Sequence, residues 1–510
     1  MAELFIELFS EEIPSKLQID ARKKIKTILE DALNKREIHF KLSRSFSTPK
    51  RLVFLMEGIP DKIEQKTKIL KGPKVGTPPV ALEGFIKSNN LKKNDIYKKN
   101  IEKGEFYFAK TKPKIINILE ELEFIIPEAL RSYSWKKSMK WSNYDLLWGR
   151  PLKSIIALFN QKVINFNFFH LKSNNTTFAD DINAEKLKKV HNFNSYLNII
   201  KSQNIILDQD KRRTLILKKF SKICKTKNLK SNFSEKLLDD VVNLVEKPNI
   251  ILGEFDEVYL KIPQEILIIT MQQHQKFFPL FDEDGKLTNL FLIVANLPDI
   301  KGYIRMGNQK VIEARLSDAK FFWDKNKTQN LVKQVGKLKS LSFFNQLGTF
   351  YDRTQRLRKL AAPISDQLNI SKEKVEIASS ICKADLVSDL VGEYPELQGV
   401  MGKYFAKEQG FENDITFAIS DHYLPVGVNS EVAKKPISTA VAMIDKIDTL
   451  VGFFGINEKP TSSKDPFALR RTAIGLLRTI TENKLKIRLK DLINYSLILY
   501  NEQDVKFVND

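Results

Sequence analysis

The sequence predicts an α+β, multidomain chain, with a strand-containing N-terminal half followed by a mainly helical one. Three observations carry this reading. The 510 residues provide for about three or four hydrophobic cores, taking about 150 residues per domain. Before Gln309, short alternating or apolar runs bounded by Gly, Pro, Asn and Asp interleave with amphipathic segments. From Gln309 onward, apolar residues recur at three- and four-residue spacing and the period does not revert.

In chain order, Glu3 to Phe9 reads as a strand and Ser15 to Lys35 as a helix. Leu17, Ala21, Ile25, Ile28, Leu29 and Ala32 form the stripe of that helix, and Pro14 sits at its start. Strands follow near Glu37 to Phe46 and Arg51 to Met56. Lys71-Gly72-Pro73 and Thr77-Pro78-Pro79 then predict loops around a short helix at Val80 to Lys87. A helix near Ile115 to Arg131 and an alternating strand at Val163 to Phe169 keep the mixed character. Further strands are predicted at Ile250 to Leu252 and Glu265 to Thr270, and a hairpin at Phe277 to Phe281 and Leu290 to Val294 around Asp284-Gly285. In the helical half, Val311, Ile312, Arg315, Leu316, Ala319 and Phe322 mark one helix, and Ile437, Val441, Ile444, Ile447 and Val451 another. A last helix is predicted to start with Asp465 as cap and Pro466 at the first helical position, turning Phe467, Ile474, Leu477 and Ile480 inward. The resulting division is 1–330 for an N-terminal α+β region of two subdomains, with a polar insertion near 60–115. A helical domain follows over 331–480, and 481–510 begins a further helical region. No internal repeat is found.

Eighty-three Lys and Arg against 62 Asp and Glu leave a net charge of +21, a field that attracts polyanions and makes nucleic acid the leading partner class. Residues 201–233 hold ten basic side chains against Asp208 and Asp210, so this segment supplies +8, largely on a helix with Ile216, Phe220 and Ile223 on its apolar side. Such a helix suits a phosphate backbone. A solvated helix face explains the same pattern as well. Two cysteines, Cys224 and Cys382, in no ligand spacing exclude a disulfide framework and a zinc site, and point to a reducing compartment. The start of the chain carries Glu3 and Glu7 and lacks the basic start of a signal peptide. No apolar run approaches the roughly 18 residues of a membrane span. The expected setting is therefore the cytoplasm, without a membrane partner.

Catalytic motifs are absent. His39, His170, His191, His274 and His422 have no second His or Cys at ligand spacing, and Glu11-Glu12 cannot share one helix or strand face. Residues 460–465, with hydroxyls and Lys464 ahead of a helix start, suggest a phosphate loop but lack its glycines. Asp385, Glu393, His422, Asp445 and Asp448 are similar to an HD-type phosphohydrolase set. The adjacent His-Asp pair of that set is replaced by the reversed Asp421-His422. Caps and salt bridges explain these residues more simply.

Several peptides are more specific. Met271-Gln272-Gln273-His274-Gln275-Lys276-Phe277-Phe278-Pro279, Ala314-Arg315-Leu316-Ser317-Asp318-Ala319, Leu347-Gly348-Thr349 and Ala384-Asp385-Leu386 occur in order. Glu393-Tyr394-Pro395-Glu396-Leu397-Gln398-Gly399, Asp445-Lys446-Ile447-Asp448 and Lys464-Asp465-Pro466-Phe467 follow them. With Glu11-Glu12-Ile13-Pro14 and Thr48-Pro49-Lys50-Arg51-Leu52 near the N-terminus, the chain resembles the bacterial glycyl-tRNA synthetase β subunit over nearly its whole length. It departs from that pattern at Ser462, where glycine is usual, at Gln309, and at Thr176-Thr177-Phe178, where Gly-His-Arg-Phe is missing.

The resemblance implies a non-catalytic, tRNA-Gly-binding subunit of a heterotetramer of two α and two β subunits, with ATP and magnesium bound by the catalytic α subunit and no cofactor here. It also implies a helical HD-like domain without a metal-binding pattern, and a C-terminal anticodon-binding domain that is mostly missing from this chain. The basic residues expected at RNA phosphates are Lys50, Arg51, Lys71, Lys74, Lys211, Arg212, Arg213, Lys464, Arg470 and Arg471. The alternatives are a free-standing RNA-binding module and an HD-type metal phosphohydrolase.

Overall fold

The computed structural model describes residues 2–65, 69–89, 91–102, 104–110, 114–178, 186–427, 429–462 and 464–508. The chain forms two compact units, one of residues 1–251 with 292–302, the other of 252–291 with 303–510. No helix among the described residues is long and apolar enough to cross a membrane.

The first unit is built on a five-stranded antiparallel sheet in the order Lys162–Val163, Leu152–Phe159, Ala2–Ser10, Arg51–Ile59, Leu42–Ser47. Side chains alternate across a strand. Leu4, Ile6 and Leu8 therefore join a core with the helices Ser15–Lys35 and Ile118–Ser132. Phe5, Val53 and Leu55 face the helix Phe193–Ser202 on the other side. The polar insertion is a three-stranded sheet, Ile69–Lys74, Gly104–Lys110 and Ile96–Ile101, beside a helix, Pro79–Ser88, that buries none of its residues.

Six predicted elements differ. Lys71-Gly72-Pro73, expected as a loop, lies inside the edge strand Ile69–Lys74, where the register shifts between Lys71 and Lys74 and so accommodates the proline. The second strand starts only at Leu42, after Glu37 has taken a positive φ of 62°. The helix expected from Ile115 starts at Ile118, because the Asn117 side chain accepts the Leu119 amide while Lys114–Asn117 pairs with Lys62–Gln65 as a strand. Val163 to Phe169 alternates in burial as expected, but only Lys162–Val163 and Asn167–Phe168 are strands, and Phe169 at φ 52° ends the extension. Glu265 to Thr270 is helical, Gln264–Ile269 running into a π-helical turn at Thr270–His274. A six-residue apolar run does not distinguish strand from helix by period. Finally, Ala468 in the left-handed region delays the last predicted helix to Leu469–Glu482, leaving Pro466 outside it. Asp465 still accepts the free amides of Leu469 and Arg470, at 2.9 and 3.1 Å. The displaced start rotates the buried face to Gly475, Leu476 and Thr479, so Ile474 and Leu477 are exposed rather than inward.

In the second unit the helix Pro436–Gly455 is central and buried along most of its length. It packs against Phe350–Leu368, Asn413–Asp421, Leu469–Glu482 and Leu489–Asn501. The Tyr500 hydroxyl of the last of these donates to the Asp448 carbonyl at 2.9 Å. Asp385 explains two of the distinctive peptides together. Its Oδ2 accepts the amides of Gly399 and Gly402 at 2.5 and 3.0 Å. A Cβ on Gly402 would lie 3.1 Å from the Asp385 Cγ, and Gly399 adopts φ 79°, so both positions favour glycine.

Candidate nucleic-acid interface

The ten basic residues divide by environment. Arg51 is buried and its guanidinium lies 3.2 Å from Glu7, 2.8 Å from Glu246 and 2.6 Å from the Phe178 carbonyl. Glu7 also accepts from Tyr196 and Thr177. Burial raises the Glu7 carboxyl above its ordinary value, with Arg51 and the two hydroxyls opposing. Arg51 is therefore a neutralising strut between two buried carboxylates, not a phosphate ligand, which corrects the expectation. Thr177, in the stretch where the usual Gly-His-Arg-Phe is missing, is part of this network.

Arg212 is corrected in the same way. It is fully buried and donates to the carbonyls of Val242, Ile206, Leu207 and Ser47 at 2.7 to 3.0 Å. Burial lowers its pKa to about 10. Arg213 is committed to Glu235 and to Asp239, the latter at 2.5 Å. Lys50 is half-buried and engaged. Lys71 lies 3.9 Å over the Phe106 ring, and Lys74 is exposed at the end of the same strand. Lys71 and Lys74 belong to the insertion sheet and Lys211 to another part of the first unit, while Lys464, Arg470 and Arg471 belong to the second. Arg470 donates to the Thr461 carbonyl at 2.7 Å, and Lys464 and Arg471 are exposed.

A stronger feature surrounds Lys211. In the helix Gln209–Lys227, Arg212, Ile216, Phe220 and Cys224 face inward at four-residue spacing. Lys211, Lys218, Lys222 and Lys225 are all exposed and fall at offsets of seven, four and three residues, which is one opposite stripe. Four ammonium groups then span about 21 Å along the axis. None of the four ion-pairs among the described residues. Lys218, Lys222 and Lys225 were missed individually in the sequence, although the period that finds them is the one that marks Ile216 and Phe220. A row of uncompensated cations on a rigid helix supplies backbone-phosphate contacts without base readout.

The phosphohydrolase-like set has other occupants. Lys383 Nζ lies 2.8 Å from His422 Nε2 and 3.0 Å from Asp445 Oδ1. The ring Nδ1 of His422 faces the Ile419 carbonyl at 2.7 Å and so carries the proton, leaving Nε2 to accept from Lys383. Burial, then Lys383, holds His422 well below the ordinary histidine value. Burial pushes Asp445 up, but Arg353, Lys383, His422 and Lys446 together pull it far below the carboxylate range. Arg353 donates to Asp445 at 2.9 Å and Arg356 to Asp448 at 2.6 Å. An ammonium and two guanidiniums thus hold His422, Asp445 and Asp448, two backbone amides hold Asp385, and Glu393 is exposed, so the set does not fit a two-metal centre. Among the described residues no group of three or more His, Cys, Asp or Glu is arranged to hold a metal ion.

Comparison with known proteins gives a consistent result. A family profile described as "Glycyl-tRNA synthetase beta subunit" matches residues 4–510. Proteins named glycine–tRNA ligase beta subunit from Rhodospirillum centenum and Rickettsia felis are each 36% identical to this chain over 98% of it, covering 74% and 75% of their own lengths. The protein of that name from Rickettsia canadensis is also 36% identical, over 99% of this chain and 75% of its own. With alignment at this identity running from one end of the chain to the other, the chain belongs to the glycyl-tRNA synthetase β subunit family.

Proposed function

We propose that the chain docks tRNA-Gly for a separate catalytic α subunit, which binds ATP and magnesium and attaches glycine, in a cytoplasmic heterotetramer of two α and two β subunits. Support comes from the name its relatives carry, glycine–tRNA ligase beta subunit, and from the absence of a catalytic motif in the sequence. The single observation that carries the docking role is the exposed row of Lys211, Lys218, Lys222 and Lys225, unpaired among the described residues. Exposed Lys464, Arg470 and Arg471 extend the expected phosphate contacts in the second unit.

The test is charging of tRNA-Gly with labelled glycine by the co-purified pair against each subunit alone, and charging only by the pair is expected. In the same preparation, changing the four lysines to Ala should weaken tRNA binding and reduce the slope of log K against log salt by about four, roughly one per lost phosphate contact. An unchanged slope removes the helix from the interface. Charging by the α subunit alone at the full rate would remove the docking role itself.

A further inference from the structure

A cavity of about 440 Å³ opens in the second unit beside His422 and Asp445, within the size range of small-molecule sites. The buried charges beneath it do not balance. Arg356 is matched by Asp448, and Arg353 and Lys383 share Asp445. Asp385 is spent on two backbone amides, and His422 is neutral. That leaves Lys446, 6% exposed and lining the cavity, whose ammonium meets only the carbonyls of His422, Leu424 and Ala442. No carboxylate pairs with it among the described residues. A buried cation with no ion pair of its own is costly, and the field of Asp445, already shared with Arg353 and Lys383, offsets its burial only in part. Burial already depresses its pKa to about 8.

Arg471 stands on the lining of the same cavity, exposed and without a partner among the described residues. Two acids also line it. Asp445 is held by Arg353 and Lys383, and Glu396 is exposed, where solvent screens it. Tyr423, Leu424, Pro425 and Val426 supply an apolar wall. We propose that this cavity binds a phosphate monoester with an apolar or planar body, the class of a nucleoside monophosphate. Its phosphate bonds to Arg471 in the field of Lys446, and its body lies on the wall. A phosphate monoester carries close to two negative charges at neutral pH, matching two cations, and its oxygens accept the forked guanidinium donors. A carboxylate would match only one. The three protons of Lys446 are engaged by carbonyls, so it acts through charge and Arg471 through hydrogen bonds.

The ligand is either a free nucleotide or the 5′-phosphorylated end of an RNA. Calorimetric titration of the full chain with AMP and with adenosine needs neither the α subunit nor tRNA, so it stands apart from the docking role. AMP should bind saturably and adenosine about tenfold more weakly or worse. Arg471→Ala, at an exposed position, should weaken AMP by about tenfold, and Lys446→Met should do so wherever it folds. If AMP competes with tRNA and removal of the 5′-phosphate from tRNA weakens binding, the RNA end is the source. If AMP binds but tRNA with and without that phosphate bind alike, the source is the free nucleotide. No saturation by AMP up to about 10 mM, equal binding of adenosine, or an unchanged affinity in Arg471→Ala overturns the proposal.

Discussion

Two regions of this protein use the same residue types in opposite ways. On Gln209–Lys227, Lys211, Lys218, Lys222 and Lys225 stand in solvent and none forms an ion pair among the described residues. Around Pro436–Gly455, Arg353, Arg356, Lys383 and Lys446 are buried, and the first three meet carboxylates within 3.0 Å. A formal charge of +21 therefore does not measure what is available to a polyanion. A buried, paired cation acts as a cross-link, because removing it strands its partner in a low dielectric. An exposed, unpaired one contributes little to folding and is free to meet phosphate.

The contrast breaks most sharply at Arg356. Arg356→Ala strips Asp448 of its 2.6 Å partner and also removes the bond from the guanidinium to the Tyr500 hydroxyl at 3.0 Å. Loss of one member of a fully buried pair should cost about 3 to 5 kcal/mol, read as a lower urea midpoint. Arg51→Ala is expected to behave similarly, since Glu7 and Glu246 would lose their shared cation. A loss below about 0.5 kcal/mol, the size of an ordinary surface change, would place these arginines with the exposed lysines.

Asp385 sharpens the comparison through pH. Burial raises its pKa to about 6 against two amide donors that oppose the shift, and its Oδ1 has no hydrogen-bond partner among the described residues. Because the folded value lies above the ordinary 3.8, the folded state binds the proton more tightly. This group's contribution is present in full below pH 3.8 and is lost as pH rises through 6. At about 1.4 kcal/mol per unit the whole change is at most about 3 kcal/mol. Asp385→Asn keeps an acceptor for the glycine amides and loses the titration, so its stability relative to the parent should rise between pH 4 and 7. His422 works the other way: its lowered pKa makes stability fall as pH drops through 6.5, the ordinary histidine value. Only the difference between parent and variant isolates Asp385, and a difference that does not change with pH would remove it from the buried set.

Much of this was legible in the sequence, and what was not has specific causes. The helix Ser15–Lys35 was found to the residue because its stripe and start signal agree. Arg212 was misread although it lies four residues before Ile216 on the stripe that also holds Phe220. Its charge was read as exposure, whereas four carbonyls pay for its burial. Arg51 was not separable from a surface arginine, because Glu246 is distant in sequence and only the folding of the segment after Glu235–Val242 against the Arg51 strand brings it to 2.8 Å. Lys383 carried no local signal either: its meaning depends on Asp445 and His422, which arrive from two other helical segments. Residues whose role is set within one helical period can be read from sequence, and those set by a distant partner cannot.

The smallest expected effect lies on the exposed side. Lys222→Ala removes a side chain that pairs with nothing among the described residues, on a helix whose inward face of Ile216, Phe220 and Cys224 is untouched. Its stability should stay within about 0.5 kcal/mol of the parent. Alanine's higher helix propensity offsets the small loss of methylene contact. Binding of tRNA should nevertheless weaken at low salt, with the salt slope falling by about one. Measured side by side, urea midpoint and salt slope respond in opposite proportion for Lys222 and Arg356. If Lys222→Ala instead lowers the midpoint and leaves the slope alone, the row is structural and the division between free and committed charge fails at its most exposed member.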